Sequence, residues 1–371
     1  MRILFVNQRP YLPQQVGGVE QTTYELVKQL ARSGHDAAVM CGMNRGDAAW
    51  LRNRLIAKVS GRAFPQERYR GTRVYRGYDL GSGLDEVLAD FAPDALVIAG
   101  NSAVSFQLAA LAARSRLPCV YYAHDIKTLR TLSTPELLDG VTLLANSRCT
   151  AGVISQCLGR ASTVLTPLID REAYRTSGSR RCVTMVNPRR LKGGQTAFEL
   201  AQACPDIPFA FVEAWTEKED FLTNLRNAAR GLPNVKWRRP TLRMGEVYGA
   251  TRILLAPSEL EESWGRVASE AQVSGIPVIA SARGGLPEAV GPGGILIEPG
   301  APLAHWVRAL RSLWDEPTFY AQLSERARAH AERPEADPQR QVEVLVESLR
   351  STADPGALKP ARDRRPYTAP P

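Results

Sequence analysis

The chain has 371 residues, 44% of them hydrophobic, with a formal net charge of +9 at pH 7. That length suits two ordinary domains, the charge favours an anionic partner, and no apolar run of about eighteen residues offers a membrane-spanning helix. The six cysteines, Cys41, Cys119, Cys149, Cys157, Cys182 and Cys204, never fall in C-x2-C spacing, which excludes the common zinc and dithiol redox motifs and suits reduced thiols in a cytosolic protein.

MRILFVN opens as a buried strand rather than a signal peptide. Only Arg2 is charged, and Asn7-Gln8-Arg9-Pro10 ends the apolar run. Gln14-Gln15-Val16-Gly17-Gly18-Val19-Glu20 follows. Its two glycines either make a tight turn or let backbone amides approach an anion or an acceptor. The spacing then predicts a helix over 20–33, with Tyr24, Val27 and Leu30 on one face and Gly34 as its stop. His35, just beyond, reads as structural.

Further strands are predicted at 37–41, 73–78, 95–99, 119–123, 142–145 and 163–165. Helical patterns separate them, which is the rhythm of βαβ units and a parallel sheet. Between 45 and 76 lie Arg45, Arg52, Arg54, Lys58, Arg62, Arg68, Arg70, Arg73 and Arg76, against Asp47 and Glu67. Nine basic and two acidic residues leave an excess of seven. Within 48–64, Leu51, Leu55 and Val59 form a stripe at i, i+4 spacing beside Arg54, Lys58 and Arg62, with Trp50 at the start. This is either an interfacial helix for an anionic membrane or an ordinary amphipathic helix packed on its own domain. His124-Asp125 ends the 119–123 strand, where a histidine is either a satisfied structural residue or a ligand contact.

Residues 166–181 break the pattern with Pro, Ser, Gly and charge and mark a domain boundary. The second half repeats the rhythm, with strands predicted at 183–186, 210–213, 235–237, 253–256, 278–280 and 295–297. The expected division is 1–168, 178–320, helices over 321–350 bracing both domains, and a disordered tail from 351 carrying five prolines. The fold class is α/β, with two doubly wound Rossmann-like domains facing a cleft, and ligands expected at the carboxyl ends of the strands.

Two segments sit there. Asn187-Pro188-Arg189-Arg190-Leu191-Lys192-Gly193-Gly194 joins a strand to a helix, and Lys192 is placed either on the surface or to reach a phosphate as a point charge. In 253–300 a strand ends at Pro257-Ser258, an acidic loop follows, and Trp264-Gly265 opens a helix. The amides of Gly265, Arg266 and Val267 there have no helical partners and suit a diphosphate. Glu262 and Glu270 flank this opening. They are either solvated carboxylates or acceptors for sugar hydroxyls. No D-x-D follows a strand, so no metal is expected. The G-x-S-x-G of hydrolases and the G-x-G-x-x-G of nicotinamide enzymes are absent.

Glu262, seven further residues, Glu270-Ala271, Gly275-Ile276-Pro277-Val278-Ile279-Ala280 and Gly284-Gly285-Leu286-Pro287-Glu288 together resemble the C-terminal signature of family 4 glycosyltransferases, of the GT-B fold. The resemblance implies that Glu270 holds the nucleotide ribose, Glu262 the donor sugar, and the amides after Trp264 the diphosphate. Trp264 stands where the family usually has Phe. Lys192 would meet the diphosphate. The family's usual arginine falls at Val186 or Asn187, leaving Arg189 or Arg190 as substitutes. Gly17 and Gly18 would cap the donor phosphate or meet the acceptor, and His124 would contact the donor sugar. His124, Lys192 and Glu262 are thus the expected catalytic groups. The resemblance implies a retaining transfer with the nucleotide-sugar as substrate and no cofactor. The acceptor expected is a glycan or lipid-linked glycan, with no nucleic acid. The location expected is cytoplasmic, peripheral on the inner face of the membrane through 48–76. A GT-B epimerase and a non-catalytic nucleotide or nucleic-acid binder are the rival readings.

Overall fold

The computed structural model describes residues 1–100, 102–214 and 220–353. Of the expected tail, 351–353 close the last helix, and the remainder lies outside the described residues. Two sheets form the centre of the molecule. The first has the order β3-β4-β2-β1-β5-β6-β7-β8, where β1 is Arg2–Pro10, β2 Asp36–Gly42, β3 Gln66–Tyr69, β4 Thr72–Arg76, β5 Ala95–Gly100, β6 Cys119–Ala123, β7 Thr142–Ala145 and β8 Thr163–Val164. The second runs β11-β10-β9-β12-β13-β14, where β9 is Cys182–Val186, β10 Phe209–Val212, β11 Val235–Arg238, β12 Thr251–Ala256, β13 Val278–Ser281 and β14 Gly294–Ile297. Pairing is parallel throughout except at β3 and β4. This is the GT-B arrangement of two doubly wound α/β domains.

The strands form because their runs are apolar on both faces, as a sheet covered by helices on each side requires. Leu4 and Val6 of β1 point into one core with Leu96 and Ile98, whereas Ile3 and Phe5 point into the opposite core with Leu26 and Leu30 of the helix Gly18–Arg32. Every strand predicted from the sequence is present. β3 was not predicted: Gln66-Glu67-Arg68-Tyr69 carries no apolar alternation and is an antiparallel edge strand held by β4.

Ile169 and Tyr174, in the segment joining the two sheets, pack into the core of the second domain. The helix Pro317–Ala331 packs there too, through Leu323 and Ala331. The chain then crosses back. In the last helix, Pro338–Ala353, Val342, Leu345, Val346 and Leu349 join Ile3, Phe5 and Leu30 in the core of the first domain. Cys41, Cys119, Cys182 and Cys204 are buried free thiols, Cys149 is half-buried and Cys157 exposed. His35 receives the N-terminal amino group at 3.2 Å, a structural contact. Among the described residues, no helix is long and apolar enough to cross a membrane.

The basic segment folds as the helix Ala48–Ser60, capped by Asp47 accepting from the Trp50 amide and ended by Gly61 in the left-handed region. Its stripe does not pack on its own domain: Leu51, Leu55 and Val59 are 56%, 67% and 89% exposed. The charge count needs one correction. Arg76 is fully buried, bonded to Glu67 and to the carbonyls of Tyr11 and Leu12, so it belongs to the interior. Arg52 also pairs with Glu67, and Arg62 with Asp90. Arg45, Arg54, Lys58, Arg68 and Arg70 are the exposed remainder.

Leu345 is fully buried where the last helix meets the first sheet. Leu345→Ala should therefore lower unfolding stability by about 2–5 kcal/mol. Denaturant titration measures this; a loss below half a kilocalorie would show that the returning helix is not part of the first core.

Candidate functional site

Three loops follow strand ends at the interface of the two domains: His124 and Asp125 after β6, 187–193 after β9, and 257–265 after β12. In open parallel sheets this is where ligands bind. The loop 257–265 links the other two.

On one side it packs against 187–193. The amides of Glu259 and Leu260 donate to the Leu191 carbonyl at 3.0 and 3.1 Å. Gly193 has φ +83°, and a Cβ there would lie 1.9 Å from the Pro257 carbonyl oxygen, so only glycine lets the loops meet. The consequence is chemical. Lys192 Nζ lies 2.5 Å from Glu262 Oε1, and Ser258 Oγ donates to the same oxygen at 2.9 Å. A cation and a carboxylate that the sequence placed 70 residues apart form one half-buried pair. Arg190 beside them is exposed, and Arg189 is half-buried.

On the other side the loop touches the first domain. Ser263 Oγ donates to the His124 carbonyl at 2.7 Å and accepts from Asn146 Nδ2 at 2.9 Å. Arg130 pairs with Glu261 at 2.8 Å. Glu288 of the Gly284-Gly285 motif accepts from the amides of Arg148 and Cys149, both at 2.8 Å, and so caps the helix Arg148–Leu158 of the first domain. The His124 ring lies against Tyr122 with ring centroids 4.0 Å apart and the planes tilted by 53°. Burial, and then the nearby Arg266 charge, push its pKa down to about 3, so the imidazole is neutral at physiological pH.

Glu270 lies on the helix Arg266–Gln272, one turn after Arg266. Its two oxygens accept from Arg266 Nε at 2.9 Å and Tyr248 Oη at 2.7 Å. The sequence assigned Arg266 a backbone role only. Its side chain crosses to the first domain, donating to Glu25 Oε1 at 2.7 Å and Thr22 Oγ1 at 3.1 Å. Burial holds the pKa of Glu25 up, although Arg266 works against it. Gly18 is adjacent: a Cβ there would stand 3.7 Å from Arg266 Cδ. Gly17, extended, is the N-cap of the helix Gly18–Arg32.

Gly265 has φ +105°, a backbone conformation that favours glycine, and an added Cβ would also press on Leu286 Cδ2 at 2.5 Å. Trp264 does not line the cleft. It is buried in the second core, with its indole N–H on Ser269 Oγ at 3.0 Å. Val267 packs against the same core. Lys192, Glu262 and the His124 carbonyl are therefore gathered along one loop, Glu270 and Gly18 meet at Arg266, and the Trp264 side chain is turned into the second core. Sequence reasoning missed Glu25, Asn146, Tyr248 and Ser263. Only Glu25 carried a signal: a carboxylate adjacent to Leu26 and two residues from Val27, on the buried side of an amphipathic helix.

Residues 197–330 match the glycosyl transferases group 1 family, and residues 16–172 match glycosyltransferase family 4. A D-inositol 3-phosphate glycosyltransferase of Arthrobacter sp. is 31% identical over 177 residues, covering 45% of this chain and 41% of that protein. One of Corynebacterium kroppenstedtii is 43% identical over 97 residues, covering 26% and 21%. The chain thus spans less than half the length of these curated relatives. Anabaena HepE in complex with UDP-glucose superposes with a TM-score of 0.74 at 22% identity, over 95% of this chain and all of that one. Sucrose-phosphate synthase of Thermosynechococcus elongatus gives 0.73 at 14% identity, over 94% and 98%.

The neutral His124 sets a pH dependence. Unfolded, its pKa is near the ordinary 6.5; folded, it is about 3. Between those values the unfolded chain binds a proton that the native chain does not. Stability is therefore full above pH 6.5 and falls as pH drops through this window. His330, pushed down to about 4 mainly by burial, acts in the same direction. The fall in melting temperature from pH 7.5 to 5 should be shallower in His124→Asn than in wild type. Equal slopes would mean that His124 titrates normally.

Proposed function

We propose that this chain, which belongs to the group 1, family 4 glycosyltransferases, moves a sugar from a nucleoside-diphosphate sugar to a glycan or lipid-linked glycan, with retention of anomeric configuration. One observation carries the reading. Lys192 is bonded to Glu262, and the very next residue, Ser263, is bonded to the His124 carbonyl across the cleft. The groups that the family resemblance assigns to diphosphate and sugar thus converge between two domains.

Each group has a task. Lys192 is a compact cation beside the leaving diphosphate, where stabilisation matters most as charge develops. Glu262 accepts from donor-sugar hydroxyls while holding Lys192. Glu270 accepts from the ribose: a carboxylate has about four acceptor positions, and two are in use. Neutral His124 is able both to donate and to accept at a sugar hydroxyl. Lys192 and the amides of Gly265, Arg266 and Val267 neutralise the diphosphate without a resident metal. UDP is the proposed carrier, since the HepE complexes contain UDP-glucose and UDP. No residue stands out as a nucleophile, so retention rests on the resemblance.

The exposed stripe Leu51, Leu55 and Val59, with Arg54 and Lys58 beside it, supports peripheral attachment to the inner, cytoplasmic face of an anionic membrane. Each basic residue close to such a surface contributes about 1 kcal/mol, decaying within a Debye length. A lipid-linked acceptor would be at hand there.

Glu270→Gln should weaken UDP binding by about 1.5–3 kcal/mol, and Lys192→Ala should cut turnover at saturating donor far more than it lowers the melting temperature. Calorimetry and steady-state kinetics read these; wild-type values in both would remove the donor site from this cleft. Activity should survive EDTA, and a complete, metal-reversible loss would reveal a metal requirement. In flotation with phosphatidylglycerol vesicles at low salt the protein should rise with the lipid, and Arg54→Glu/Lys58→Glu should stay below while binding UDP normally. Wild type that stays below points to a soluble acceptor.

A further inference from the structure

Arg266 lies at the boundary of the two domains and is almost wholly buried. A guanidinium has five N–H donors and cannot shed its charge. Here all five are used. Nε donates to Glu270 at 2.9 Å. Nη1 donates to the Leu168 carbonyl at 2.8 Å and to Thr22 Oγ1 at 3.1 Å. Nη2 donates to Glu25 Oε1 at 2.7 Å and to Tyr174 Oη at 3.2 Å. One donor ends on the carboxylate assigned to the ribose. Thr22, Glu25 and Leu168, all before the second sheet, receive three others.

The first-domain end is fixed as firmly. The other oxygen of Glu25 accepts from the Asp170 amide at 3.0 Å, and Tyr174 Oη donates to Oε1 at 3.1 Å. Glu25, Arg266 and Glu270 form a buried row of two negative charges around one positive charge. Glu270 therefore keeps part of its negative character, which is what makes it a strong acceptor for hydroxyls. A neutralised Glu25 would leave Glu270 as the one carboxylate compensating the Arg266 charge, while Thr22 and the Leu168 carbonyl still tie the guanidinium to the first domain.

We infer that Arg266 is a positioning residue that couples the first domain, through Glu25, to the nucleotide-holding carboxylate Glu270. Glu25 sits on the first domain's helix Gly18–Arg32 and shares Arg266 as an ion-pair partner with Glu270. Its charge nonetheless sets the affinity for the nucleotide, and binding a nucleotide in turn favours the closed pairing of the domains. The inference rests on the reading of Glu270 as the ribose acceptor.

The test is a double-mutant cycle read by titration calorimetry with UDP on wild type, Glu25→Gln, Arg266→Met and the double variant. Glu25→Gln should weaken UDP binding about 5- to 100-fold, the range of ordinary inter-site coupling. In the Arg266→Met background the same change should alter affinity less than about two-fold, because the coupling residue is gone. Arg266→Lys should not restore it, since an ammonium cannot form the five-donor fork. If Arg266→Met fails to fold, Thr22→Val replaces it: this removes one of the first-domain acceptors and should weaken UDP binding in the same direction but less. Wild-type affinity in Glu25→Gln, or an equal loss in both backgrounds, overturns the coupling while leaving the donor site intact. Wild type that binds none of UDP, GDP, ADP or dTDP overturns the functional reading and this inference together.

Discussion

A guanidinium buried between two domains must find a partner for every N–H and for its charge, because an unpaired ion in a dry interior is far more costly than an ordinary lost contact. Arg266 meets this condition only with the domains apposed as they are. Four of its five donors end on Thr22, Glu25, Leu168 and Tyr174, none of which belongs to the second sheet or its own helix. Opening the cleft would leave Arg266 with Glu270, Tyr174 and water, without Thr22, Glu25 and the Leu168 carbonyl. The relative placement of the two domains and the environment of Glu270 are thus one electrostatic problem with one solution.

Beside Glu288, which caps a first-domain helix, further cross-cleft contacts use the loop that this solution brings close. Glu261, Glu262 and Ser263 are consecutive, and they bond to Arg130, Lys192 and the His124 carbonyl respectively. Three neighbouring residues therefore address the first domain, the cation proposed for the diphosphate and the strand end where the sugar is expected. Small residues make the geometry reachable. Gly193 lets the lysine loop press on Pro257, and Gly285 donates to the Glu262 carbonyl at 2.6 Å. The signature motifs thus act as a packing device in their own right.

Much of this was legible in the sequence because it is local. Apolar runs of four to six residues between helical patterns announced the strands, and strand ends announced the loops. β3 escaped because an antiparallel edge pair needs no apolar run, and Gln66-Glu67-Arg68-Tyr69 has none. Arg76 was counted as surface charge because nothing in the spacing shows that Glu67 and two carbonyls surround it. Glu25 was missed for the same reason at larger scale: its partner lies 241 residues away. Periodicity reports which face of an element is buried, not which distant charge the fold brings there. The E-x7-E spacing named Glu262 and Glu270, but their partners Lys192, Arg266 and Tyr248 are set by tertiary contacts.

Where a nucleotide sits decides the role of this cleft. A crystal structure of the wild-type chain with UDP measures that directly. The expected result is UDP in the interdomain cleft, ribose hydroxyls within hydrogen-bond distance of Glu270 and the diphosphate beside Lys192. A ribose held by other residues, or UDP bound away from the 187–193 and 257–265 loops, would contradict it.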